Sequence, residues 1–133
     1  AFNDPVVIGA TCNIMPLSGK PNEKVFFTVY NQLIRFTARF KPHSRGELLA
    51  VRKTAFESAC GFDENMPCLE DHDLANRIAK LGKFVFISDL TVYESMRRFR
   101  KLGFSRVMST WIMDYIAFAI RGKPVSATWK PVR

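Results

Sequence analysis

Cysteine and histidine are scarce in this sequence, and neither is spaced to form a cross-linked or metal-bound framework. The three cysteines, Cys12, Cys60 and Cys68, give an odd count and no Cys-x-x-Cys pair. This pattern favours free buried thiols in a reducing compartment over a disulfide framework. The two histidines, His43 and His72, do not lie at ligand spacing with any cysteine, so the sequence predicts no zinc site and no metal-ligating residue.

Long apolar runs and a secretory leader are also lacking. No apolar stretch reaches the ~18–20 residues that a bilayer-spanning helix needs. The first residues, AFNDPVVIGAT, contain neither the basic start nor the apolar segment of a signal peptide, and they lead almost at once into a strand-like run. We therefore expect a cytoplasmic protein, or one at the cytoplasmic face of a membrane, whose chain begins inside a larger polypeptide.

Hydrophobic and basic residues, by contrast, are abundant. Of the 133 residues, 47% are hydrophobic and 12 are Phe, which suits a single domain over 1–133 with its own core. Lys and Arg number 20 against 12 Asp and Glu, giving a net charge of +8. This excess favours anionic partners such as phosphates, nucleotides, nucleic acid or an acidic membrane face, with general solubility as the plain alternative.

Strand-like and helical patterns alternate along the chain, which predicts an α/β fold. Strands are expected at 6–14, 47–53 and 83–87, with a further extended piece at 88–95. Helices are expected at 24–40, 54–60, 69–81 and 107–120. Thr54 and Glu57 have the spacing of a capping box, and Gly82 stands where glycine commonly ends a helix. The apolar face predicted for the first helix consists of Phe26, Val29, Tyr30, Leu33, Phe36 and Phe40.

Four acidic residues lie close together in this otherwise basic chain: Glu64, Glu70, Asp71 and Asp73. The last three fall in the first turn of a predicted helix, where carboxylates cap free N–H groups and complement the helix dipole. Asp71 also shares one stripe of that helix with Leu74 and Ile78, so its side chain is expected to face inward. Because an acid held at the edge of a core is a candidate general base, capping and catalysis both stay open.

The order of residues resembles the C-terminal half of the catalytic domain of family 2 inverting glycosyltransferases, which have the GT-A fold. The segments that carry the resemblance are GELLAVRKTAFESACGFDE and LEDHDLANRIAKLGKFVFI. DPVVIGAT is similar to the strand that follows the family's metal-binding motif. The resemblance covers most of the chain and is most specific from 46 to 87. It implies a partial GT-A fold, a mixed sheet with flanking helices from which the N-terminal nucleotide-binding half is absent.

By this resemblance, Asp71 is the catalytic base and Glu70 is its neighbour. The base would take the proton of an acceptor hydroxyl as that oxygen attacks the anomeric carbon of the donor sugar. A nucleoside diphosphate would leave from the opposite face, so the configuration would invert. The implied donor is a nucleotide-diphospho-sugar, and the implied acceptor is a saccharide hydroxyl, a lipid-linked acceptor or a lipid phosphate.

The basic segment ESMRRFRKLG is the predicted diphosphate site. Arg97 and Arg98 follow a predicted strand end, where α/β proteins commonly place ligand groups, and arginine binds phosphate through a two-pronged fork. Many relatives have Ser-x-Arg-Arg at this place, and a solvated basic face is the alternative. The predicted substrate-binding residues are Gly46, Ser95, Arg97 and Arg98.

The resemblance places the nucleotide-binding strands, and an Asp-x-Asp motif that holds Mg²⁺ or Mn²⁺, upstream of this segment. We therefore expect the cation to be held mainly by that upstream half and the 133 residues alone to be inactive. An incomplete sheet leaves an edge and apolar surface exposed, which favours self-association.

Two other functions stay open. The apolar faces of helices 24–40 and 107–120 either pack in the core or lie against a bilayer surface, where Arg35, Arg39, Arg106 and Arg121 would meet lipid head groups. The main alternative to an enzyme is thus a basic membrane- or nucleic-acid-binding module without catalysis. Since no nucleic-acid-binding motif is visible, we expect no nucleic acid partner. A non-catalytic oligomerisation unit is the third hypothesis.

Overall fold

A computed structural model describes residues 1–17, 20–38, 40, 42, 44 and 46–126 of the chain. Arg39 and His43, both named above, lie outside the described residues. The elements, in chain order, are β1 (Val7–Pro16), α1 (Pro21–Thr37), β2 (Ala50–Val51), α2 (Lys53–Ser58), α3 (Glu70–Ile78), β3 (Lys83–Glu94), α4 (Arg97–Leu102) and α5 (Phe104–Arg121).

In the described part of the chain, three strands form a mixed sheet in the order β2-β1-β3. β1 is the central strand; it pairs in parallel with β3 along its length and antiparallel with the short β2 at Gly9 and Ala10. Parallel strands require a crossover connection, which here runs through α1, α2 and α3. The predicted α/β class, with a mixed sheet and flanking helices, is confirmed.

β3 joins into one strand the two extended pieces that the sequence predicted separately. Its register against β1 shifts between Cys12↔Ile87 and Asn13↔Thr91, so the residues between Ile87 and Thr91 bulge out of the ladder. The side-chain amide of Asn13 donates a hydrogen bond of 2.6 Å to the carbonyl oxygen of Ser88 inside this bulge. The bulge therefore keeps a polar contact to β1 while the strand continues toward α4.

The segment around β2 differs from its prediction. The strand covers two residues and not 47–53, and α2 begins at Lys53 with Arg52 at the N-cap and no side-chain capping bond. The predicted capping box was wrong because Thr54 lies inside the helix, where it no longer precedes the free N–H groups. Arg52 instead holds the start of the chain, since its guanidinium donates hydrogen bonds of 2.6–3.0 Å to the carbonyls of Phe2, Asp4 and Val7.

Gly82 has a role different from the predicted helix end. α3 stops earlier, with a right-handed C-cap at Ala79. A Cβ at Gly82 would lie 2.9 Å from the carbonyl oxygen of Val6 and 3.1 Å from the side chain of Ile8. Glycine is required there because the chain passes closely over β1 as it turns from α3 into β3.

α1 buries a face that overlaps only in part with its predicted apolar face, for which core packing and contact with a bilayer were both open. Its buried residues are Glu23, Phe27, Asn31 and Ile34. In the predicted apolar face, Phe26 and Tyr30 are half-buried, whereas Val29, Leu33 and Phe36 are exposed. The amide of Asn31 accepts a hydrogen bond of 3.1 Å from the Ile14 N–H and donates one of 2.8 Å to its carbonyl. Asn31 thus satisfies the backbone hydrogen-bonding groups of Ile14, beyond the point where β2 ends, in the way that a neighbouring strand would.

The described residues contain two hydrophobic clusters, one at each end of β1. Near its start, Ile8 packs with Leu74 and Ile78 of α3, with Ala55 of α2 and with Ala59 at the C-cap of α2. Near its end, the buried side chains come from β1, α1, α4 and α5, and they are Ile14, Phe27, Met96, Phe99 and Val107. In the described residues, no helix has both the length and the apolar character needed to cross a membrane.

Candidate active site

The start of α3 is built on an unusual backbone conformation. Leu69, the N-cap residue, has φ 62° and ψ 20°, in the left-handed region that residues with a Cβ rarely adopt. This turn sends the chain directly into the helix, so Glu70, Asp71 and Asp73 occupy its first turn as predicted. Such conformations are found disproportionately at functional sites, where the surrounding structure holds them.

Asp71 and Glu70 differ in exposure as the helical pattern predicted. Asp71 is half-buried above the fully buried Leu74 and Ile78, whereas Glu70 is exposed. Asp73 has a structural partner, because its carboxylate lies 2.7 Å from the guanidinium of Arg77. Asp71 and Asp73 are thus both half-buried, and of the two it is Asp73 whose carboxylate lies against the Arg77 guanidinium.

Gly46 lies directly beside the Asp71 carboxylate. A Cβ placed on Gly46 would stand 3.9 Å from Oδ2 of Asp71, in van der Waals contact. Two of the predicted site residues, 25 positions apart in the sequence, are therefore brought together in space. Because Gly46 carries no side chain, nothing from that residue covers Oδ2, whereas a large side chain there would approach it closely.

Burial raises the pKa of Asp71 to about 6, from an ordinary value of 3.8. The negative charges of Glu70 and Glu47 act in the same direction, since each disfavours a second carboxylate nearby. Hydrogen bonds from the backbone N–H groups of His72 and of Asp71 itself favour the ionised form and lower the pKa in part. The result is a carboxyl group whose pKa lies close to neutral pH.

Several neighbours of Asp71 were not predicted from the sequence. Glu47 acts on Asp71 through its charge, and the ring of His72 lies 5.7 Å from the ring of Tyr115, which brings α5 next to the start of α3. Burial raises the pKa of the Cys68 thiol to about 11, helped by the charges of Asp114, Glu70 and Asp71. Glu47 adjoins Gly46 in the chain and could have been suspected, but nothing in the sequence indicates the contact with Tyr115.

Asp114, the one acidic residue of α5, is buried and ties the following segment back to this helix. Its Oδ1 accepts hydrogen bonds from the N–H groups of Val125 at 3.0 Å and Ser126 at 2.8 Å, and its Oδ2 accepts one from the Ser126 hydroxyl at 2.7 Å. The Ser126 carbonyl in turn lies 4.0 Å from the sulfur of Cys68, just before α3. This contact closes one side of the region around Asp71.

The predicted diphosphate ligands, Arg97 and Arg98, follow β3. They are not among the groups that most strongly shift the pKa of Asp71. Arg97 is exposed and Arg98 is half-buried at the start of α4, and the backbone N–H of Arg97 donates a 3.4 Å hydrogen bond to the hydroxyl of the exposed Ser95. α3 leads into β3, and Arg97 and Arg98 follow the end of that strand. Among the residues that the structure describes, the charges that act most strongly on Asp71 are carboxylates.

The residues that the structure describes include no group of three or more His, Cys, Asp or Glu side chains placed to hold a metal ion. Comparison of the chain with protein-family models, curated proteins and solved structures finds no match in any of the three. A function must therefore be inferred from the residues and geometry of the site.

Proposed function

We propose that this chain is the acceptor-side part of an inverting nucleotide-sugar glycosyltransferase with a GT-A fold, in which Asp71 is the general base. One observation carries the proposal: a half-buried carboxylate at the start of α3 lies beside Gly46, with a pKa raised to about 6. Perturbed acids of this kind are found preferentially in active sites, because a base is most effective when its pKa lies near the working pH.

The reaction assigned to Asp71 is proton removal from an acceptor hydroxyl. A carboxyl group of pKa about 6 is about nine-tenths ionised at pH 7, so it is ready to accept a proton. As the hydroxyl proton moves to an Asp71 oxygen, the acceptor oxygen forms a bond to the anomeric carbon of the donor. The bond from that carbon to the diphosphate oxygen breaks, and the diphosphate keeps the electron pair, so the configuration at the carbon inverts.

Glu70 and Gly46 support this role in different ways. Glu70 raises the proton affinity of Asp71 through its charge, without being buried itself. Gly46 leaves Oδ2 of Asp71 uncovered by any side chain of its own, which leaves room for an acceptor oxygen at hydrogen-bond distance. We therefore assign Glu70 to tuning the base and Gly46 to keeping the approach to it open.

Arg97 and Arg98 are the proposed ligands of the leaving diphosphate. They lie at the end of a parallel strand, and the exposed Arg97 guanidinium is accessible to a ligand. Positive groups stabilise the charge that develops on the diphosphate as the glycosidic bond breaks. In this proposal Ser95 orders the turn through the N–H of Arg97, and its hydroxyl also faces the donor phosphate.

The proposal predicts that Asp71→Asn in the full natural polypeptide lowers turnover with a nucleotide sugar by about 10²–10⁴-fold, because the amide cannot accept the proton. Donor affinity, measured by calorimetry with a panel of uridine and guanosine diphospho-sugars, should change little. The matched control is Asp89→Asn, which alters an exposed aspartate in β3. Turnover by Asp71→Asn close to that of the control would remove Asp71 from the mechanism.

A further inference from the structure

α1 exposes a continuous row of apolar side chains to solvent. The residues that we call the α1 stripe recur at helical spacing, each is more than half exposed, and they are Val25, Val29, Leu33 and Phe36. Phe40, just beyond the helix, is 79% exposed. A row of this length is unusual on a water-facing helix, because such helices normally turn polar residues outward.

α5 has a second exposed apolar row. The residues that we call the α5 stripe are also more than half exposed, and they are Ile112, Met113, Ile116 and Ile120. The buried face of the same helix carries Val107, Asp114 and Ala117, so the stripe is not needed for packing against the domain. Both helices thus have a buried face toward the domain and an apolar face toward the outside.

The two helices adjoin at their N-terminal ends. The ring of Phe26 in α1 meets the ring of Phe104 in α5 edge to face, with centroids 4.7 Å apart. A pocket of about 400 Å³ opens beside this contact, and its charged lining residues are Lys20, Arg100 and Glu23, of which the last two lie 3.7 Å apart. Apolar surface with nearby cations is therefore found where α1 and α5 meet as well as along each helix.

The charges exposed on these helices are all positive. Lys24 and Arg35 are exposed near the two ends of α1, and Arg106 and Arg121 are exposed near the two ends of α5. Each helix contains one acidic residue, and each of these is withdrawn from the surface: Glu23 is 8% exposed with Arg100 3.7 Å away, and Asp114 is 2% exposed. The outer faces of α1 and α5 thus combine apolar side chains with cations alone.

We propose that the α1 and α5 stripes bind the surface of a bilayer that contains anionic lipids. A second copy of the chain would bring cation against cation across the contact, whereas an anionic headgroup layer neutralises the same cations. Helices with an apolar face bordered by Lys and Arg lie in the plane of the interface, with the apolar side chains in the acyl boundary. This surface does not depend on the proposed transfer reaction, since it uses neither Asp71 nor the start of α4.

Vesicle co-sedimentation of the full natural polypeptide tests the proposal, because an upstream half of the domain would cover any stripe that is only part of an internal contact. Binding is expected to phosphatidylcholine vesicles that contain half phosphatidylglycerol, and it should weaken in pure phosphatidylcholine and at high salt. The paired changes Val29→Ser with Leu33→Ser, and Ile116→Ser with Ile120→Ser, should each weaken binding to the anionic vesicles by about tenfold or more. Far-ultraviolet circular dichroism should show the same helix content and cooperative unfolding as the unchanged chain.

The matched apolar control is Val6→Ser with Leu81→Ser, since both side chains are more than half exposed but lie on neither helix. Arg35→Gln tests the contribution of positive charge on α1. Its matched control is Lys53→Gln, which removes the same charge from an exposed position on α2. Three results would overturn the proposal: no binding to the anionic vesicles, stripe variants that bind as well as the controls, or light scattering that gives the mass of a dimer for the unchanged chain and of a monomer for the stripe variants.

Discussion

At the scale of single residues, the half-buried Asp71 carboxyl has a cost in stability that the exposed acids of this segment avoid. Its pKa is 3.8 in an unfolded chain and about 6 in the fold, so the folded protein binds this proton more tightly. The stabilisation that the protonated group provides is complete below pH 4 and is lost as the pH rises through 6. Ionised Asp71 therefore works against folding at neutral pH.

The free energy of unfolding of Asp71→Asn is therefore expected to exceed that of the unchanged chain by about 1–3 kcal/mol at pH 7–8. The amide stays neutral at every pH, and its oxygen can still accept the N–H of His72. Urea unfolding between pH 4 and pH 8 measures the difference, which should shrink toward zero at the acid end. A difference that is constant with pH, or largest at pH 4, would show that Asp71 does not carry the raised pKa.

The sequence predicted the inward direction of Asp71 correctly, because Leu74 and Ile78 define the core face of a helix and Asp71 is in phase with them. The closeness of Gly46 could not be predicted in the same way. Gly46 reaches Asp71 through the packing of the segment before β2 against α3, which is a contact between distant parts of the chain. Local periodicity contains no information about such a contact.

At the scale of helices and strands, α1 shows why hydrophobic spacing does not decide which part of an apolar face is buried. The helix has apolar residues on more than half of its circumference, so two different faces satisfy the same spacing rule. Asn31 decides between them, because its amide supplies both hydrogen bonds that the Ile14 backbone needs where β2 has ended. A polar residue faces the interior when it supplies the hydrogen bonds that a strand needs there, even though its side chain is not hydrophobic.

Asp114 is predicted to stabilise the end of α5 and the segment after it. Asp114→Ala would leave the N–H groups of Val125 and Ser126 without their acceptor and should lower the free energy of unfolding by about 2–4 kcal/mol. Urea unfolding measures this change at pH 7. Asp89→Ala, at an exposed position of β3, is the control and should change stability by less than about 0.5 kcal/mol. Equal effects of the two changes would contradict the role assigned to the Asp114 hydrogen bonds.

At the scale of the whole molecule, the alternation of strand and helix was enough to predict the α/β class, and the observed sheet confirms it. The strand order was not predictable, because the pairing of β1 with β3 joins segments about 75 residues apart in the sequence. The glycosyltransferase function proposed above rests on the resemblance, which places a base at α3 and cations after β3. Whether those two groups act on one substrate is a separate prediction.

Replacing both Arg97 and Arg98 by Gln in the full natural polypeptide should weaken the binding of nucleoside diphosphates by about 10–100-fold, since two charge-assisted contacts are lost. Calorimetric titration with uridine and guanosine diphosphates measures the effect. The control pair, Lys80→Gln with Lys83→Gln, removes the same net charge from two exposed positions, one in the turn after α3 and one at the start of β3. If the control pair weakens binding as much, the effect comes from net charge and the arginines are not ligands.

The most direct test of Asp71 as the base is a titration of its side-chain carboxyl by carbon-13 nuclear magnetic resonance, in the 133-residue chain, with Asp71→Asn identifying the signal. The predicted midpoint is about pH 6, and it should move to lower pH in Glu70→Gln because one neighbouring negative charge is removed. A midpoint at or below 3.8, unmoved by Glu70→Gln, would show a solvated carboxylate and contradict the assignment.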